Sequence, residues 1–221
     1  MLKQLQEQIE RLKKAGVTYV DARWYPVEET NQLVMWNGNL KGASASRESG
    51  VGVRVLYKGA WGFSASSDLT NLAAIFNKAL DNARAAAERV TFPIRLAEKD
   101  AIQASFHSPN EIDPFSVPFG DKVAFLQELD ARLNQPGVQQ RVGQLIFMRK
   151  QIVFLDSEGS QIEKTIIEAF PSIEVMGVDD RNPEYSCILR SMKTVKNTLL
   201  LPLPVALTAK QIREDALLSK M

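Results

Sequence analysis

Cysteine is almost missing from this 221-residue chain: Cys187 is the only one, so no disulfide can form within it, and a reducing compartment fits. Histidine is as scarce, with His107 the single example. A structural zinc site takes about four N or S ligands at short fixed spacings, and there is neither an HExxH motif nor a Cys pair. A Cys187–His107 nucleophilic pair is formally available, but a lone Cys in "EYSCILR" reads as a small buried hydrophobe. An excess of either charge is also absent. Lys+Arg number 27 against 26 Asp+Glu, a formal charge of +1, with no basic tail or arginine run to grip a phosphate backbone. Long apolar runs are missing too. The stretch "TLLLPLPVAL" is about half the length needed to cross a bilayer and carries two prolines. The start, "MLKQLQEQIERLKK", is charged throughout and lacks the apolar core of a secretion signal. These absences predict a cytoplasmic protein with no membrane span and no direct nucleic-acid partner.

What is present is an ordinary globular composition, 45% hydrophobic and 24% charged, on a chain long enough for a real core. Leu2, Leu5, Ile9 and Leu12 recur at steps of three and four, predicting a helix over 2–14 that Gly16 ends. Residues 17–29 and 32–36 read as strands, and Asn37-Gly38 is a type I′ hairpin signal. The polar strand that follows, around 39–48, belongs at a sheet edge or in a groove. Val51, Val53, Val55 and Tyr57 then alternate on one face of a strand, Lys58-Gly59 turns it, and "AWGFSA" returns antiparallel. Asp68 is placed as the N-cap of an alanine-rich helix over 69–89, built for close approach to a sheet or to the first helix. Residues 91–118 read as loop, 121–134 as a third helix, and the remainder to Val178 as antiparallel strands turning at Ser157-Glu158-Gly159. The fold class is α+β, a mostly antiparallel or mixed sheet with helices packed on it.

The stretch "GVGVRVLYKGAWGFSASSDL" holds four glycines within thirteen residues. It is no phosphate loop, because valines stand where a helix should begin and no Lys-Ser/Thr follows. Gly50 and Gly52 share one strand face, which points to close packing or a bulge. The carboxylates Asp179-Asp180 and Glu111 with Asp113 could each be half of an acid–base pair, and turn chemistry accounts for them equally well. Trp61 and Phe63 bracket Gly62 and read either as core or as the wall of a peptide groove. No self-sufficient catalytic set emerges.

In order and spacing, "GVTYVDARWY", "NGNLKGASASRESGVGVRVLYKGAWGFSASSDL", "EIDPFSVPFGDKVAFLQELD" and "VFLDSEGSQIEKTI" resemble the N-terminal half of the TldD/PmbA family. Its members are known as modulators of DNA gyrase and as zinc metallopeptidases. The resemblance covers about residues 1–190 and implies a TldD/PmbA-like N-terminal α+β domain there. Residues 191–221 would be a linker or tail toward a C-terminal metallopeptidase domain. It implies an enzyme that cleaves unfolded or flexible peptides as a homodimer or a heterodimer with a related subunit. Zinc is expected in the full-length family protein, on an HExxxH motif and a further Cys placed beyond Met221. No catalytic residue and no metal ligand carries over to this chain, so it is predicted inactive alone and without a cofactor of its own. Asn37, Gly38, Arg54, Trp61, Gly62 and Phe63 are the candidate substrate-binding residues, as groove wall. The alternative is a free-standing, non-enzymatic peptide-binding or assembly module that pairs with a full-length relative. The tail "TAKQIREDALLSKM" is expected to pack loosely without a partner.

Overall fold

The computed structural model describes residues 1–179 and 182–191. The tail, Asp180 and most of the proposed linker lie outside the described residues. Strands are ordered β3-β2-β1-β5-β6-β4 in one seven-stranded sheet, with β7 also paired to β6. The strands are β1 (Tyr19–Trp36), β2 (Asn39–Tyr57), β3 (Ala60–Ser66), β4 (Gln103–His107), β5 (Val138–Asp156), β6 (Gln161–Asp179) and β7 (Asn182–Ser191). Among the described residues three helices accompany them: α1 (Leu2–Lys14), α2 (Leu72–Ala87) and α3 (Phe119–Leu133). The α+β class expected from the sequence holds. The described residues pack as two compact units, one of residues 1–29, 47–108 and 149–166, the other of residues 30–46, 109–148, 167–179 and 182–191.

In the first unit the periodic stripe of α1 is buried as read: Leu5, Ile9 and Leu12 join Val20 and Ala22 of β1 and Val51, Val53 and Val55 of β2. Phe76, Ala79, Leu80 and Ala83 of α2 complete that core. Small residues on α2 have a geometric reason. A Cβ at Gly62 of β3 would lie 2.1 Å from the Ala79 carbonyl oxygen and 2.2 Å from the Ala83 nitrogen, so helix and strand approach to backbone contact. β2 and β3 pair antiparallel from Val51↔Ser66 to Tyr57↔Ala60 around Lys58 and Gly59, both at positive φ. This is the two-residue turn that suits the strand twist.

The second unit forms around α3. Leu126 packs with Leu33 and Met35 of β1 and Leu145 and Phe147 of β5, and Phe115 and Val123 flank them. Leu129 and Leu133 pack with Val175 of β6. Asn37 and Gly38 take the positive φ values of the expected hairpin.

Five sequence readings need correction. Residues 17–29 and 32–36 are one strand, β1, and the polar 39–48 stretch continues unbroken into the valine-rich strand as β2. Likewise residues before the Ser157-Glu158-Gly159 turn form one long strand, β5 (Val138–Asp156), whose half-buried polar residues continue the ladder through main-chain bonds. The 91–118 loop contains β4, which pairs parallel to β6 from Gln103↔Gln161 to His107↔Thr165. Finally, α2 is capped by Asn71, whose side chain accepts from the Ala74 N–H, rather than by Asp68. Asp68 is engaged earlier: its Oδ1 accepts from the Thr70 N–H at 3.0 Å and hydroxyl at 2.6 Å, an Asx turn that precedes the helix.

Candidate functional site

The outward faces of three neighbouring strands in the first unit form a basin of about 670 Å³. Asp21, Arg23 and Tyr25 alternate along β1, Gly50, Gly52 and Arg54 along β2, and Phe63 and Ala65 along β3, with Ser66 and Ser67 at one end. Alternation puts these residues opposite the core-facing valines. Gly50 and Gly52 leave the middle strand bare. A Cβ at Gly50 would meet the Ser66 carbonyl oxygen at 3.2 Å, and one at Gly52 the Phe63 ring at 3.4 Å.

One end of the basin is rigid. Arg54 donates from Nε and Nη2 to the Asp21 carboxylate, at 3.0 and 2.7 Å to Oδ2, and its guanidinium lies 5.2 Å from the Trp61 ring centre. Asp21 is buried, whereas Arg54 is about half exposed. The hydrogen bonds to Asp21 hold the guanidinium above its ordinary pKa against the opposing pull of burial. Trp61 meets Tyr19 edge to face at 5.8 Å. Burial, and then the nearby Asp21 and Asp156 carboxylates, push the Tyr19 phenol well above its ordinary value, so it stays neutral.

Around the β5–β6 turn, Asp156 takes the Lys99 ammonium at 2.5 Å and accepts from the Glu158 and Ser160 amides. Burial alone would raise the Asp156 pKa, but the bonds from Lys99 and Ser160 outweigh it and hold the carboxyl below the usual range. Lys99 is held above its own range, first by the bond to Asp156. Its Nζ also lies 3.4 Å from the Ser160 hydroxyl. A Ser–Lys nucleophile requires a neutral amine, and the Asp156 bond favours the ammonium. This cluster therefore fastens the turn.

A second cleft, of about 370 Å³, lies wholly within the second unit. Asn31, Gln32 and Leu33 of β1 and Ala43, Ser44 and Ala45 of β2 form one side. Phe115, Val117, Phe119 and Lys122 form the other. Lys122 is buried with its ammonium 5.0 Å from the Phe147 ring centre, and Phe119 is half exposed. β3 covers β2 only from Val51 to Tyr57, so residues 39–46 of β2 run on beyond it, all exposed.

Of the residues singled out in the sequence, Arg54 and Phe63 line the basin and Trp61 stacks on Arg54. Gly62 turns to the other face, where α2 accounts for it. Asn37 and Gly38 belong to the second unit. There the Asn37 side-chain oxygen accepts from the Arg141 N–H at 2.8 Å, its own N–H donates to the Arg141 carbonyl, and a Cβ at Gly38 would lie 3.2 Å from Asp130 Oδ2. Asp130 and Arg141 form an ion pair at 3.1 Å beneath that turn. Asp21, Arg23 and Tyr25 escaped the sequence reading, although the alternation in "DARWY" carries them. Phe115 and Phe119 escaped it too, in a proline-rich stretch without periodicity.

The described residues do not fit a zinc ion: no three His, Cys, Asp or Glu side chains among them converge to hold one. His107, on β4, is exposed. Among the same residues no helix is long and apolar enough to cross a membrane.

Residues 27–87, from mid-β1 through α2, match the family described as PmbA/TldA metallopeptidase domain 1. Over that stretch the chain is similar to a PmbA/TldA-type first domain. A metalloprotease of Methanocaldococcus jannaschii is 26% identical over 181 residues, 81% of this chain and 40% of that protein. Among solved structures, a Thermotoga maritima protein named as a modulator of a DNA gyrase aligns with a TM-score of 0.69 at 16% identity, over 91% of this chain and 45% of that one. TldE from Thermococcus kodakarensis aligns with a TM-score of 0.63 at 12% identity, over 87% and 43%. This chain thus spans less than half the length of each of these relatives. The two structural likenesses establish the fold.

Proposed function

We propose that this chain is the substrate-side domain of a TldD/PmbA-like metallopeptidase and receives an unfolded peptide as an added strand along residues 39–46 of β2. The observation that carries the reading is the exposed run of β2 that β3 leaves uncovered, beside a cleft walled by Leu33, Phe115 and Phe119. Unpaired main-chain groups bind any extended backbone, and an adjacent apolar cleft accepts alternate side chains. The matched family and the metalloprotease relative support peptide as the ligand. Zinc, which the resemblance implies for the full-length protein, would supply a polarised water for hydrolysis there. The described residues hold no ligand set for it, so bond cleavage is not assigned to them. Cytoplasmic residence and pairing with a second copy or a related subunit belong to the same proposal.

The test is photo-cross-linking of a labelled, carboxymethylated casein peptide to the 221-residue chain, followed by mapping. Cross-links on residues 39–46 and on Phe119 are expected, with loss when Ala43 and Ala45 are changed together to Lys. Absence of cross-linking, or cross-links confined elsewhere, would overturn the assignment. The non-enzymatic reading is favoured instead if peptide binds but adding a metallopeptidase relative produces no cleavage.

A further inference from the structure

We propose that the basin on the first unit is a second binding site, for an extended acidic peptide segment whose carboxylates face Arg23 and Arg54. It stands apart from strand addition in the second unit and does not rest on that reading. Three observations carry it.

The first is a charge imbalance. Among the described residues Asp21 is the basin's one carboxylate, and Arg54 already engages it through two nitrogens. Arg23 is exposed and, among the described residues, has no carboxylate partner; its guanidinium lies 5.7 Å from the Phe154 ring centre. Further along β1, Glu28 and Glu29 are taken by Lys150 and Arg149. The surplus cation therefore sits at the basin, which favours an anionic occupant by complementarity.

The second is preorganisation. Asp21 and Trp61 fix the Arg54 guanidinium, while Nη1 makes no hydrogen bond among the described residues. A guanidinium held in place loses little side-chain freedom when a carboxylate arrives.

The third is shape. Gly50 and Gly52 put no side chain on β2, where the Phe63 ring and the Ser66 carbonyl close in beside them, and the volume far exceeds what a lone inorganic anion needs. From Gly50 to Arg54 a strand advances about 13 Å, the length of a few extended residues. A track without side chains at Gly50 and Gly52 keeps the basin floor low, and Tyr25 and Phe63 suit a peptide's apolar atoms. A nucleic-acid strand is disfavoured by the single surplus cation, since such sites use a train of positive charges.

Fluorescence anisotropy of the full 221-residue chain tests this with a dye-labelled, acetylated and amidated hexapeptide bearing two Glu residues, against the same peptide with Gln. The Glu peptide is expected to bind about tenfold more tightly at low salt, with the advantage shrinking as salt screens it. Arg23→Gln changes one exposed side chain and is expected to erase that advantage. Gly52→Val places a branched side chain on the track and is expected to weaken both peptides, with far-UV circular dichroism verifying the fold of each variant. Equal binding of the Glu and Gln peptides, or an undiminished Glu preference in Arg23→Gln, would overturn the proposal. So would a single-stranded oligonucleotide that binds more tightly than the Glu peptide and depends on Arg23.

Discussion

Gly62 lies so near Ala79 that a Cβ on the glycine would come within 2.1 Å of the helix carbonyl oxygen. Both partners are backbone, so no side-chain rotation can relieve the contact. Gly62→Ala must push α2 away from β3, and the expected cost is about 3 kcal/mol, the upper range for overpacking. Urea unfolding should show a lower midpoint at unchanged slope; a midpoint equal to that of the parent protein would contradict the packing described.

The Asp21–Arg54 pair is asymmetric, with a buried acid and a half-exposed base. Arg54→Met strands the carboxylate without a partner. Breaking a fully buried pair costs about 3–5 kcal/mol, and solvent access on the arginine side reduces the expected loss to about 2 kcal/mol. Combining Asp21→Asn with Arg54→Met should recover part of that loss, because the buried charge is then gone as well. A double variant no more stable than Arg54→Met would argue against the ion pair as the source.

Two opposite shifts at the β5–β6 turn bound the stable pH range. Asp156 is depressed in the folded protein, so its contribution is complete above the unfolded carboxylate value of about 3.9 and fades as pH falls through the lower folded value. Lys99 and Tyr19 are both raised. Their contributions are complete below the unfolded values of about 10.4 and 10, and fade as pH rises beyond them. The melting temperature should therefore be level between about pH 5 and 9 and fall on either side. Tyr19→Phe should lessen the alkaline fall without altering the acid one. An alkaline limb unchanged in Tyr19→Phe would remove the phenol from the explanation.

The cap of α2 is open to a paired comparison. Asn71→Ala is expected to cost about 1 kcal/mol through loss of the bond to the Ala74 N–H. Asp68→Ala should cost less, since it removes only an exposed turn ahead of the helix. Chemical denaturation of the two variants side by side decides between them, and a reversed order would restore Asp68 as the cap.

Much of this architecture was legible because local chemistry and tertiary packing agree. The three- and four-residue steps of α1 have one solution, and Leu5, Ile9 and Leu12 are all buried. Asn37-Gly38 and Lys58-Gly59 announce their turns because few residues tolerate positive φ. β4 was invisible for a physical reason. Every residue in "QASFH" is exposed, so the strand is held by main-chain pairing and has no apolar alternation to read. At the α2 start, "SDLTN" offers four residues of capping type, Asp68 and Asn71 among them, and the three-dimensional path decides for Asn71. The basin was half visible. Arg54 and Phe63 lie in the glycine-rich stretch, but their neighbours Asp21, Arg23 and Tyr25 come from a strand that pairing alone brings alongside.

The pairing of β4 with β6 has a consequence for the order of assembly. The β2–β3 hairpin closes through a two-residue turn, whereas Gln103 must find Gln161 across well over fifty residues of chain. Loop closure over that distance is entropically dearer and kinetically late. Once there, β4 contributes no buried side chain to repay it and is fastened by its ladder, by the Lys99–Asp156 bond, and by the Gln103 side chain on the Gly159 carbonyl. A strand held this way is placed to open before the hairpin and α2. Amide exchange and protease nicking should begin at residues 91–107 while the hairpin and α2 remain closed.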